Sequence, residues 1–234
     1  MKNYKVVKII NETPDTKTIH LVDGKSNQYN FSPGQYITVQ FPNLGVPEGK
    51  AYSISSLPSD PFLSITVKAI GAYSKRLCSL NIDDTVIVSD TYGYLFEDTG
   101  RPLVCIAAGV GISPVWSVIR SVLCDDGNRN IDLYYSNKTI EDIVFRDAIS
   151  EIQNNCPNFN VNHYITRQET PIGGVYNNGR FDSKIIAKET IDNNANVLIC
   201  GSQEFVTDIY RQLVEAGVLD EQISTEVFFY SSWK

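Results

Sequence analysis

The chain has 234 residues, 42% of them hydrophobic and 20% charged, with a formal net charge of −7. This composition suits a globular protein with a real core, at a length that accommodates two domains of ordinary size. The acidic balance argues against nucleic acid as a partner, and no run of about 18 apolar residues is present to span a membrane.

The first hundred residues read as β. Short β-rich runs are expected at Lys5 to Ile10, Thr16 to Val22, Tyr36 to Phe41, Tyr52 to Ser55, Leu63 to Val67 and Thr85 to Val88, separated by turn signals such as Asp23-Gly24 and Ser32-Pro33-Gly34. Many short strands at this spacing predict a small antiparallel barrel, with one short helix at Ser74 to Leu80. After Gly100-Arg101-Pro102 the texture changes. Strands at Leu103 to Ala107, Ile131 to Tyr135, Val161 to Ile165, Val197 to Cys200 and Thr225 to Phe229 alternate with helices at Pro114 to Leu123, Ile140 to Asn154, Ser183 to Lys188 and Gln203 to Ala216. Alternation of this kind predicts a parallel sheet covered by helices. The expected organisation is a two-domain fold: an N-terminal antiparallel β-barrel over 1–99 and a C-terminal α/β domain over 100–234.

The five cysteines, Cys78, Cys105, Cys124, Cys156 and Cys200, include no C-x-x-C pair, so neither a metal site nor an iron–sulfur cluster is expected. Met1 to Ile10 lacks the apolar centre of a signal peptide, which makes a cytoplasmic protein without structural disulfides the expectation. His20 and His163 read as strand or surface residues and not as ligands.

The strongest local signal is Gly109-Val110-Gly111-Ile112-Ser113-Pro114, between an apolar strand and a helix. Glycines allow the backbone to approach a phosphate, and the helix start offers free N–H groups to a pyrophosphate. Ser113 is expected to cap the helix and Pro114 to open it. The acidic residue that often follows the second strand and holds a ribose hydroxyl is missing, because that strand ends Tyr135-Ser136-Asn137-Lys138. Lys138 reads either as a solvated loop lysine or as a partner for a 2′-phosphate.

Two earlier segments join this loop. Lys50-Ala51-Tyr52-Ser53 lies in a strand, and Gly71-Ala72-Tyr73-Ser74 opens a helix about twenty residues on. With Phe31-Ser32-Pro33-Gly34-Gln35-Tyr36, Cys200-Gly201 and Glu226-Val227-Phe228, this order resembles the ferredoxin–NADP reductase superfamily over almost the whole chain. Lys50 stands where that family usually has Arg. Lys keeps the charge but loses the bidentate fork, which leaves FMN or a loosely held flavin open beside FAD.

The resemblance implies an FAD-dependent NAD(P)H oxidoreductase of the free-standing kind, with no cluster-binding cysteine pattern of its own. It implies FAD on Lys50, Tyr52, Ser53, Gly71 and Ser74, and NADP or NAD on Gly109, Gly111 and Pro114. Ser53, Cys200 and Glu226 would act in hydride transfer, with Phe228 or Trp233 covering the other flavin face. Electrons would pass to a separate carrier such as a ferredoxin, a flavodoxin or an oxygenase component, docked near Lys50, Lys68, Lys75 and Arg76. The alternatives are a reductase that uses free flavin as its substrate and a flavin-bearing electron-transfer subunit of a larger complex.

Overall fold

The computed structural model describes residues 1–24, 29–168 and 176–228. The chain opens with a long hairpin, β1 (Lys2–Thr13) and β2 (Thr16–Val22), paired from Lys5↔Val22 to Thr13↔Thr16. Asp15 Oδ1 fixes the turn by accepting from the Thr13 and Thr16 hydroxyls at 3.0 and 3.1 Å. β3 (Tyr36–Gln40), β4 (Lys50–Ser53), β5 (Leu63–Lys68), helix α1 (Ala72–Cys78) and β6 (Thr85–Tyr92) follow. The six strands form an antiparallel sheet in the order β4-β3-β6-β1-β2-β5. It is barrel-like without closing: its two edges meet at the isolated bridge Ile54–Ile65, beside which Ser55 N donates to Ser64 O at 2.9 Å. Strand alternation sends Val6, Ile19, Leu21, Ile37, Val39 and Ile65 into one core, all fully buried.

The second half begins with β7 (Leu103–Ala108), α2 (Ile112–Asp125), β8 (Ile131–Asn137), α3 (Arg146–Asn155) and β9 (Phe159–Ile165). β10 (Tyr176–Asn178), α4 (Ser183–Asp192), β11 (Asn196–Ser202), α5 (Gln203–Glu215) and β12 (Ile223–Phe228) complete it. All six strands are parallel, in the order β10-β9-β8-β7-β11-β12. The chain therefore changes direction across the sheet between β7 and β11, and the loops at their carboxyl ends flank the crevice where open α/β sheets bind ligands. One core lies on each face of this sheet. Leu95 and Phe96, which come before β7, pack into the core that contains α2.

Three local expectations change. The helix expected from Ile140 starts only at Arg146. A 3-10 turn at Ile140–Asp142 comes first, held by Asp142 Oδ2, which accepts from both the Thr139 backbone N–H and the Thr139 hydroxyl. Phe145, at φ 59°, then interrupts the helical path. Ser113 does not cap α2: it lies inside the helix and donates to Val110 O at 2.8 Å, so Pro114 also sits within the first turn and does not open it. The three-residue edge strand β10 is too short to give a periodic signal.

The two halves are tied along a polar seam. Arg120 on α2 grips Asp60 through two nitrogens at 3.0 and 3.1 Å, and Ser117 Oγ donates to Ser56 O at 2.8 Å. The Phe145 N–H donates to Glu12 Oε2 at 3.1 Å.

Tyr135 links the strand ends. Its hydroxyl donates to Gly109 O at 2.9 Å and accepts from Val144 N at 3.3 Å. Tyr135→Phe removes both bonds inside the core, and urea denaturation should show a loss of about 1–3 kcal/mol. Burial also lowers the His20 and His163 pKa values to about 4, against about 6.5 for a free imidazole. Between those values the unfolded chain binds protons that the native state refuses. The histidine contribution to stability should therefore be complete above about pH 6.5, fall as the pH drops towards about 4, and level off below. His20→Phe or His163→Phe should flatten that slope in a pH series of melting temperatures.

Candidate functional site

A cleft of about 1050 Å³ runs between the antiparallel sheet and the end of β12. β4 supplies one wall, and burial increases along it: Lys50 is exposed at the mouth, Tyr52 is half-buried and Ser53 is buried. Burial raises the Tyr52 phenol pKa above its ordinary range, so it stays neutral. Helix α1 supplies a second wall through Gly71, Ala72 and Ser74. Its position is fixed by Tyr73, whose hydroxyl donates to Val39 O and accepts from Phe41 N, both at 2.7 Å. The Ser74 hydroxyl is engaged within its own loop, accepting from Ile70 N at 3.0 Å and Gly71 N at 3.1 Å. The N–H groups at the start of α1 have no intrahelical acceptor, as at any helix start.

β12 brings Glu226 and Phe228 into the same cleft. Ser53 Oγ donates to Glu226 Oε1 at 2.5 Å, across 173 residues of sequence. Burial raises the Glu226 pKa, and the Ser53 bond partly offsets that rise. Cys200 is the parallel partner of Glu226 in the β11–β12 register. Its side chain is fully buried, and burial, Glu226 and Cys105 together push its thiol pKa well above the ordinary value. Cys200 is not among the residues that line the cleft: it lies in the core with α2 and stays a neutral thiol. Trp233 lies outside the described residues.

The glycine loop meets the cleft through Val110. Gly109 has φ +52° with open space around its α-carbon. Gly111 is constrained by contact: a β-carbon there would lie 2.6 Å from Cys200 O. The loop after β7 therefore rests directly on the end of β11, and Gly111 is what permits the approach. At the neighbouring strand ends, the Arg167 N–H donates to Lys138 O at 2.9 Å, so the two exposed cations are adjacent.

Lys50, Tyr52, Ser53, Gly71, Ser74, Glu226 and Phe228 thus gather on one cleft, while Gly109, Gly111 and Pro114 form the turn beside it. Sequence reasoning passed over Tyr94 and Leu95, which also line the cleft. The signal was the aromatic run Tyr92-Gly93-Tyr94-Leu95-Phe96, in which Tyr94 remains 75% exposed. Aromatic walls, a cation at the mouth and unpaired helix N–H groups fit a planar ring system that carries a pyrophosphate.

Residues 1–92 match the FAD-binding domain family, and residues 105–211 match the oxidoreductase NAD-binding domain family. The chain belongs to the ferredoxin–NADP reductase superfamily. The flavohemoprotein of Oceanobacillus iheyensis is 27% identical over 97% of this chain and 59% of its own length. A Ralstonia ferredoxin–NAD(P)+ reductase component of naphthalene 1,2-dioxygenase/salicylate 5-hydroxylase systems is 27% identical over 86% of this chain and 61% of its own length. The chain thus spans about 60% of the length of the curated relatives it matches. Among solved structures, the flavohem-like FAD/NAD binding domain of nitric oxide dioxygenase from Vibrio cholerae superposes with a TM-score of 0.85 at 19% identity, covering 97% of this chain and 98% of that one. Ferredoxin–NADP+ reductase from Plasmodium falciparum with 2′P-AMP gives 0.79 at 18% identity, covering 97% and 95%. No helix among the described residues is long and apolar enough to cross a membrane.

The two glycines of the reductase loop should respond differently to alanine. Gly111→Ala forces the turn off Cys200 and should destabilise the protein by about 1–3 kcal/mol, with weaker nicotinamide binding. Gly109→Ala meets no atom and carries only left-handed backbone strain, about 1–2 kcal/mol. Chemical denaturation with and without dinucleotide separates the two effects: ligand should recover less stability in Gly111→Ala.

Proposed function

We propose that the protein transfers a hydride between a nicotinamide dinucleotide and FAD and passes the electrons to a separate protein carrier. The observation that carries this reading is the cleft itself, where Tyr52 and Ser53 of the flavin motif meet Glu226 and Phe228 beside the glycine loop. Lys50 and the start of α1 would hold the FAD pyrophosphate, and Tyr52 and Phe228 would flank the ring. When bound, FAD accepts two electrons as hydride and can release them singly. Ser53 and Glu226 form the polar link at the reacting edge, Cys200 shapes the floor where nicotinamide docks, and closure of the cleft excludes water. We place the division between the two functional units near residue 99.

The test is spectroscopic. Purified protein should carry flavin that is released by heat as FAD and bleached anaerobically by NADPH or NADH. Protein that purifies colourless yet oxidises nicotinamide when flavin is added would instead favour the free-flavin reductase. Cys200→Ala and Glu226→Gln should keep flavin and slow its reduction roughly 10-fold, about 1.4 kcal/mol of barrier. Unchanged stopped-flow rates in both variants would remove the assignment.

The adjacent Lys138 and Arg167 support a modest preference for NADPH through its 2′-phosphate. The ratio of kcat/KM for the two dinucleotides decides it, and Lys138→Ala with Arg167→Ala should bring the ratio towards unity.

For the carrier, Lys75 and Arg76 on α1 are exposed, whereas Lys68 is held by Asp15 at 3.0 Å and Asp142 at 3.8 Å. The docking patch therefore narrows to Lys50, Lys75 and Arg76. Charge reversal at Lys75 and Arg76 should slow reduction of a protein acceptor but not of ferricyanide, with the difference fading at high salt. Equal loss with both acceptors would assign these residues to the flavin.

A further inference from the structure

A second cavity, of about 670 Å³, opens between the two halves and is lined by residues of both, among them Glu12, His20, Phe62, Trp116 and Arg120. Between this cavity and the cleft lies an unbroken set of hydroxyls. Thr66 lines the cleft, whereas Thr18, Ser55, Ser64 and Glu12 line the second cavity. Thr66 Oγ1 is 2.9 Å from Thr18 Oγ1 and donates at 3.0 Å to Ser55 Oγ, which is 2.9 Å from Ser64 Oγ. Thr18 Oγ1 donates at 2.7 Å to Glu12 Oε1.

None of the four hydroxyl residues is more than 5% exposed. Thr18 and Thr66 are direct cross-strand partners on β2 and β5. Strand alternation puts Ile19, Ile65 and Val67 into the barrel core, so this hydroxyl row occupies the opposite face, towards the α/β half. Buried hydroxyls in a sheet often satisfy themselves on nearby carbonyls. These bond chiefly to one another and end on a carboxylate, the arrangement in which hydrogen bonds polarise along a chain.

We propose that Thr66, Thr18 and Glu12 form a proton path that carries a proton from the cleft to the second cavity. The inference rests on the function proposed above. Each turnover brings in a hydride, which is two electrons and one proton, together with one proton from water. When both electrons leave singly to a one-electron acceptor, two protons must leave as well. A proton set free in the cleft binds Thr66 Oγ1, and the proton already there passes to Thr18 Oγ1. The Thr18 proton passes in turn to Glu12 Oε1, and Glu12 releases it to water in the second cavity. No electron moves along the path, and every hydroxyl ends neutral. The Thr66 hydroxyl, which donates to Ser55 at rest, turns its proton towards Thr18 by rotation about its Cβ–Oγ1 bond and resets by the reverse rotation. The charged and titratable groups sharing the cavity with Glu12 are Asp60, Arg120, Glu141, Arg146, Asp147, Glu151 and a neutral His20, with Tyr135 within electrostatic reach from β8.

The experiment uses the full chain with its flavin, NADPH as reductant, ferricyanide as the one-electron acceptor and a pH-indicator dye, on Thr18→Val and Glu12→Gln. Flavin content and reduction by NADPH should match the parent, which shows that the fold is kept. Proton release after reoxidation should lag about 10-fold in both variants, and formate should restore it in Glu12→Gln by acting from the second cavity. Independently of turnover, the redox-difference infrared spectrum should contain a protonated-carboxyl band that shifts in D2O and disappears in Glu12→Gln. Proton release that keeps pace in both variants, or a band that survives in Glu12→Gln, overturns the path alone. Failure of the parent to bind flavin overturns the proposed function and the path together.

Discussion

The contact on which the site depends is the hydrogen bond from Ser53 to Glu226. It joins β4, at one edge of the antiparallel sheet, to β12, at one edge of the parallel sheet. Ser53 is buried and Glu226 half-buried, but neither belongs to an apolar core, so the bond is not a product of hydrophobic packing. It forms because the seam sets the two sheets in register: Arg120 on Asp60, Ser117 on Ser56 O and Glu12 on the Phe145 N–H hold the barrel against α2 and the start of α3. A paired, half-buried carboxylate is costly to leave alone, so removing either partner exposes the other to the full effect of burial. Cleft geometry and seam geometry are in this sense one constraint.

The α/β half adds a second constraint of a steric kind. Gly111 against Cys200 O leaves no room for a side chain, and Tyr135 bonds the same loop from the other side through Gly109 O. The turn beside the cleft is thus clamped between two strand ends. A binding loop held in this way presents its N–H groups without first being ordered, which lowers the entropy lost when an anion docks.

Much of this was legible in the sequence. Short β-rich runs such as Lys5 to Ile10 and Leu63 to Val67, against the longer helical stretch of Gln203 to Ala216, marked both fold types. Glycine spacing marked the reductase loop because that backbone shape needs residues without a β-carbon. What the sequence could not show was tertiary. The start of α3 was misplaced because the Thr139–Asp142 pair closes a single turn that mimics a helix beginning. Ser113 carries the residue type of a cap, but the 3-10 turn at Gly109–Gly111 moves the helix start ahead of it. The involvement of Lys68 with Asp15 and Asp142 depends on the seam between the halves, and the hydroxyl row depends on which strand faces which.

The separation of Ser53 from its partner also has a consequence for biosynthesis. At translation rates of about 5–20 residues per second, the 173 residues between Ser53 and Glu226 take roughly 9–35 s to appear. For the part of that interval after Tyr92 has been made, the nascent barrel has all of its own strands but lacks the wall that β12 contributes. Any flavin captured early would rest on an open shelf beside the ribosome, exchanging freely, and would be retained only once the second sheet had been made and docked. The order of the residues along the chain thus makes cofactor retention a late event, one that reports completion of the second domain.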